Sequence, residues 1–165
     1  MKQNHHLINS EKAVLQLIDI ENLCGGSCQV REFHSHVKEV VDSFGKSDSF
    51  LTVVAAGPNA IQSCPELLWD WEFDRFLIRK GVDGADNRLL DVIAEPQLRR
   101  VREVQIWSGD HCFTDVSRLL VRRGVSVHVF SRPTSLAASL RAIATRVTFL
   151  SELQVPDSSE LAFAS

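Results

Sequence analysis

The sequence predicts an α/β domain of three layers, with helices packed on a central, mainly parallel β-sheet. Two observations carry that reading. Short apolar runs recur along the 165 residues and alternate with amphipathic stretches of helical period, the pattern of right-handed βαβ units. Three of the acidic residues stand where such a run gives out, which is where a parallel sheet exposes its carboxyl edge.

Residues 1–11 are polar and read as a flexible N-terminus, 12–150 as the domain, and 151–165 as a small-residue-rich tail. The first strand is expected at roughly 13–19, where Ala13, Val14, Leu15, Leu17 and Ile18 make an almost unbroken apolar run, as in a strand buried on both faces. Gly25-Gly26-Ser27 then leads into a helix near 30–43, with Phe33, Val37, Val40, Val41 and Phe44 at three- and four-residue spacing. The second strand, Phe50 to Ala56, stops at Gly57-Pro58, and Pro58 suits the first turn of a short helix. Phe73 to Arg79 mixes apolar and charged residues and reads as an outer strand. A third helix starts after Asp83 or Asp86 and carries Leu89, Leu90, Val92 and Ile93. A fourth strand is expected at 102–108 and a fourth helix at 112–123, closed by Gly124 as a C-cap. Val125 to Phe130 is the fifth strand, Leu136 to Ala144 a helix, and Arg146 to Leu150 a last short strand.

No apolar run approaches the roughly 20 residues that span a bilayer, and the start, Met1-Lys2-Gln3-Asn4-His5-His6, lacks a signal-peptide core. A cytoplasmic protein with no membrane partner is expected. There Cys24, Cys28, Cys64 and Cys112 stay reduced; the Cys24–Cys28 spacer is three residues, not the redox two, and no second Cys or His pair completes a zinc site. The net charge of −3 is uneven: residues 1–70 carry 5 Lys+Arg and 9 Asp+Glu (−4), 71–146 carry 13 and 9 (+4), and 147–165 carry none and 3 (−3). A basic middle can follow a phosphate backbone.

Asp19 closes the first strand, Asp110 the fourth, and Asp86 lies in Gly81 to Asn87 beyond the outer strand. Carboxylates at neighbouring parallel strand ends converge on one crevice, and hard oxygen ligands suit Mg²⁺ or Mn²⁺. Asn22, three residues after Asp19, is placed to hold a ligating oxygen or a phosphate. Asp83 suits a helix N-cap, leaving Asp86 one turn later for the crevice. Ser108-Gly109-Asp110 brings backbone amides and a carboxylate to one point, with Ser108 positioning a ligand oxygen. Asp115, one turn into the next helix, looks back into the site or simply favours the helix N-terminus. Exposed His111 suits proton donation or a phosphate contact, and Arg79, Arg88 and Arg132 suit a substrate backbone. The plainer role of Asp19, Asn22 and Asp110 is to cap turns. The chemistry this set fits is metal-assisted phosphodiester hydrolysis.

Leu17-Ile18-Asp19-Ile20-Glu21-Asn22, Gly84-Ala85-Asp86-Asn87-Arg88-Leu89-Leu90 and Ser108-Gly109-Asp110-His111-Cys112-Phe113 resemble, in this order, three signatures of the NYN domain family of PIN-like ribonucleases. The resemblance runs from about residue 13 to 150. It implies a PIN-like, Rossmann-like fold, RNA as partner, and Asp19, Asp86 and Asp110 as catalytic metal-binding carboxylates, with Asn22 in support. The family commonly has a second Asp two residues after the one in the Ser-Gly-Asp turn; here that residue is Cys112, a poor Mg²⁺ ligand. Either Asp115 or Asp83 supplies the missing oxygen, or one metal suffices, or the domain is a catalytically degenerate module binding nucleic acid or protein. A phosphoryl-accepting receiver domain wants a Lys after strand five, where Ser131-Arg132-Pro133 stands, and a dinucleotide-binding domain wants three spaced glycines that the first turn lacks. Trp69, Trp71 and Phe76 are available for base stacking, for the core, or for a homo-oligomer interface.

Overall fold

Strands β1 (Val14–Asp19), β2 (Phe50–Ala56), β3 (Arg75–Ile78), β4 (Glu103–Trp107), β5 (Ser126–Ser131) and β6 (Arg146–Phe149) make one sheet in the order β3-β2-β1-β4-β5-β6. All the pairings are parallel. The computed structural model describes residues 14–44, 50–78, 84–93 and 101–150, with 84–88 described by backbone alone. Around the sheet lie α1 (Ile20–Cys24), α2 (Val30–Ser43), α3 (Pro58–Ser63), α4 (Gly84–Ile93), α5 (Thr114–Arg122) and α6 (Ala138–Ile143).

Strand pleating divides the apolar side chains between two cores. On one face Ile18, Val54, Trp107 and Phe130 pack with Leu23, Phe33, Val37 and Ala60 of α1, α2 and α3. On the other, Leu15, Leu17, Val53, Ile106 and Val129 pack with Leu89, Phe113 and Leu140 beneath α4, α5 and α6. Both faces of β1 are therefore dry, which explains its near-continuous apolar run. The expected three-layer α/β fold is what forms, and β3 lies at an edge as its mixed composition requires. Among the described residues, no helix is long and apolar enough to cross a membrane.

Two local features depart from expectation. α1 starts directly after β1 and ends at Gly25, whose φ of 93° is left-handed and whose N–H bonds the Asn22 and Glu21 carbonyls. Gly25-Gly26 thus stops one helix before it introduces the next. Further on, His111–Phe113 is a 3-10 turn ahead of α5 rather than its first turn, because the Asp110 carboxylate accepts the Cys112 N–H. Arg79, expected to extend β3, lies outside the described residues.

A polar row crosses the otherwise apolar sheet. Thr52 Oγ1 donates to Gln16 Oε1 (2.8 Å), Gln16 Nε2 to Gln105 Oε1 (3.0 Å) and Gln105 Nε2 to Glu103 Oε1 (2.9 Å). In register with Gln105, His128 accepts at Nδ1 from Arg146 Nη2 (2.8 Å) and meets Thr148 Oγ1 at Nε2 (2.7 Å), so its partners assign the neutral tautomer protonated at Nε2. Burial first, and then the Arg146 charge, lower its pKa from 6.5 to about 4. Between those values the unfolded chain binds more protons than the native one, so His128 makes stability fall as pH falls from 6.5 towards 4. Discounted for solvent screening of the exposed Arg146 side chain, the effect is on the order of 1–2 kcal/mol. Urea midpoints compared at neutral and mildly acidic pH are expected to drop less for His128→Gln than for wild type; equal drops would refute the assignment.

Candidate functional site

From the central pair the chain winds outward in both directions, β1 to β2 and β3, and β4 to β5 and β6. The carboxyl ends of β1 and β4 therefore flank the topological switch point, where open α/β sheets leave a crevice. Asp19 ends β1 and is only 4% exposed. Ser108, fully buried just beyond β4, donates from Oγ to Asp19 Oδ2 at 3.1 Å and accepts the Asp110 N–H at 3.2 Å. Asp19 Oδ1 accepts the Asn22 N–H at 3.2 Å, and Asn22 Oδ1 in turn accepts the Gly109 N–H at 3.0 Å. Asp19, Asn22, Ser108 and Asp110 thus form one network sewn across the β1–β4 seam. The Asp110 carboxylate is partly open: Oδ1 accepts the Cys112 N–H at 2.8 Å and lies 2.9 Å from His111 Nδ1. The plainer role of each aspartate is real as well, since Asp19 caps α1 and Asp110 caps the 3-10 turn.

Packing above this network leaves position 109 no room for a side chain. A Cβ on Gly109 would lie 2.3 Å from the Ser135 carbonyl and 2.4 Å from Ser131 Oγ, while the Gly109 carbonyl accepts the Ala137 N–H at 2.9 Å. Arg132 is tied to the chain. Its Nη2 donates to the Asn22 carbonyl at 3.1 Å, and its Nη1 lies 2.9 Å from where a Gly25 Cβ would stand. A guanidinium at the last carbonyls of a helix stabilises that end, so Arg132 holds α1, and with it Asn22, in place. Arg132, expected at a substrate backbone, thus has an anchoring role within the chain.

Asp115 does not join the network; its side chain is 88% exposed and pairs with Arg118. Asp86 and Arg88 fall within α4, a helix packed against β1, β2 and β3, with their side chains outside the described residues. Asp83 and Arg79 lie outside the described residues altogether. Trp71 and Phe76 belong to the core, whereas Trp69 is 65% exposed. Sequence reasoning passed over Glu21, whose Oε2 accepts the Gly57 N–H at 2.9 Å over the end of β2. The available signal was its place between Asp19 and Asn22.

Cys24 takes no part. Burial pushes Cys24 up to about 12; nearby Arg132 opposes that, and Asp19, Cys64 and Glu21 add to it. A thiol so protonated is neither nucleophile nor ligand. Cys112 packs against the apolar cluster under α4, α5 and α6. Among the described residues, no group of three His, Cys, Asp or Glu is arranged to hold a metal ion. The Ser108-bridged pair Asp19 and Asp110 does fit Mg²⁺ in donor type, because that ion commonly takes one or two protein carboxylates and fills the rest with water and phosphate oxygens.

No family model and no curated protein matches the sequence. A crystal structure of a protein of unknown function from Vibrio parahaemolyticus is similar, with a TM-score of 0.58 and 18% sequence identity, covering 88% of this chain and 97% of that one. The likeness is one of fold.

The tight seat of Gly109 makes the turn testable. Gly109→Ala must displace a backbone carbonyl, and is expected to cost about 1–3 kcal/mol, read as a lower urea midpoint. An unchanged midpoint would show that the 131–137 loop yields freely.

Proposed function

We propose that this chain is a divalent-metal-dependent ribonuclease of the NYN, PIN-like type, acting in the cytoplasm. The observation that supports it best is the buried Asp19 joined through the Ser108 hydroxyl to the turn bearing Asp110, at the switch point of a parallel sheet. Asp19 and Asp110 would hold Mg²⁺ or Mn²⁺, with Asp86 completing the set from α4. When bound, the ion supplies charge neutralisation at the phosphate and a water of lowered pKa. The protein's own part is positional. Ser108 fixes the rotamer of Asp19, Asn22 ties the first turn of α1 to Gly109, and Arg132 braces that turn from below.

A second reading has one observation in its favour. Cys112 takes the place of an expected carboxylate and packs inward, as suits a degenerate module that binds RNA or a protein without cutting. RNA binding that survives EDTA, no Mn²⁺-dependent cleavage by wild type, and cleavage gained by Cys112→Asp would favour it.

For the nuclease, Asp110→Asn is expected to lower Mn²⁺-dependent cleavage of RNA by about 10²–10³-fold, several kcal/mol of transition-state stabilisation. The fold should survive, because Asn also caps turns well. Cleavage at the wild-type rate by this variant, with purity checked by Asp19→Asn, would remove the assignment.

A further inference from the structure

Charge is divided along the same β1–β4 seam that forms the topological switch point. Residues 14–44 and 50–78, which build β1 to β3 with α1 to α3, carry nine Asp or Glu against three Lys or Arg, a balance of −6. Residues 101–150, which build β4 to β6 with α5 and α6, carry three against seven, a balance of +4. A polyanion reaching the crevice meets attraction on one flank and repulsion on the other.

The basic flank is anchored at the site. α5 and α6 pack together and are tied at their first turns by Thr114 Oγ1 and Ser139 Oγ, 3.0 Å apart. α6 is also hung from the Asp110 turn by the Ala137-to-Gly109 hydrogen bond. Both helices thus lead away from Asp110, α5 for roughly 13 Å at 1.5 Å per residue. Arg118, which also pairs with Asp115, and Arg122 stand four residues apart on one face of α5, and Arg122 and Arg123, both exposed, close it. On α6, Arg141 lies over the ring of Phe149, 5.8 Å from its centroid, and that ring is 42% exposed.

We propose that the α5–α6 surface, through Arg118, Arg122, Arg123 and Arg141, is the track that holds a single RNA strand as it enters the Asp19–Asp110 crevice. The substrate class rests on the nuclease reading, but the track is a matter of binding alone. Guanidinium groups pair bidentately with phosphate oxygens, and the Arg141–Phe149 pair offers a base a face to stack on. An acidic protein segment is the rival occupant. It would use the charges, but it has no need of the stacking face or of the lead into the crevice.

The test uses the full chain and a fluorescein-labelled single-stranded RNA of about 12 nucleotides, with anisotropy read in EDTA across a KCl series. Each phosphate contact on a single strand contributes about 0.7 to the slope of log affinity against log salt. Arg122→Glu/Arg123→Glu is expected to weaken binding by at least about 10-fold and to flatten that slope by about 1.4. Arg122→Gln/Arg123→Gln, which keeps the helix end free of added negative charge, should flatten it similarly. Glu32→Lys/Glu39→Lys, on exposed positions of the acidic half, should leave affinity within about threefold. Unchanged affinity in both arginine variants overturns the track. So does wild-type protein that ignores RNA but binds a polyglutamate probe through the same arginines. Arginine-dependent binding without wild-type cleavage would sink the nuclease reading and keep the track. Asp110-dependent cleavage indifferent to the arginines would do the reverse.

Discussion

Burying the carboxylate of Asp19 at the end of the central strand is the constraint on which the rest of this site depends. A buried charge without partners costs several kcal/mol, and the chain meets that cost with groups from two segments 89 residues apart. The Asn22 amide comes from the helix that Asp19 itself starts, and the Ser108 hydroxyl comes from the far side of the β1–β4 seam. Satisfying Asp19 therefore fixes the turn after β4, and that turn carries Asp110. The same demand reaches outward. Position 109 must be glycine for Ser131 and Ser135 to close over it, and α1 must stop at Gly25 for Arg132 to brace the Asn22 carbonyl.

The structural role of these atoms and the chemical role proposed for them do not compete. A carboxylate oxygen has more than one lone-pair site, so an oxygen that accepts a backbone N–H still has room for a second partner. Asp19 and Asp110 both cap, and the Asp19 carboxylate and the Asp110 backbone N–H meet at one hydroxyl. Capping sets their orientation before any ligand arrives, which is the preorganisation a hard-metal or phosphate site needs. Cys112 is the counter-example: packed among apolar residues, it contributes its backbone amide to Asp110 and little to the crevice.

The sheet was legible because strands dry on both faces are written as apolar runs, and β1, β2 and β5 lie within a residue or so of where those runs fall. Asp19, Asn22, Ser108 and Asp110 were legible as a group because strand ends in a parallel sheet share one edge. What could not be read depends on contacts between distant segments. A five-residue helix such as α1 is too short to show a period. Gln16 and Gln105 look like interruptions until register sets them side by side. Arg132 read as a surface cation, and only the folded chain brings its guanidinium to the Asn22 carbonyl, 110 residues away in sequence. The division of charge was visible in outline along the sequence, but only the strand order shows that its boundary coincides with the topological switch point.

That arrangement separates the two aspartates as probes of function. Asp110 is partly open, and the hydrogen bond it accepts from Cys112 is one an Asn side chain can also accept. Substitution there removes charge and leaves the turn its cap. Asp19 is buried, and its two oxygens accept from Asn22 and Ser108 respectively. An amide in its place puts a donor where one of those donors already points, and relief requires Ser108 to turn its proton away and so to change its bond to Asp110. Activity lost on changing Asp19 therefore mixes chemistry with the geometry of the seam. Activity lost at Asp110 with the fold intact belongs to the charge itself.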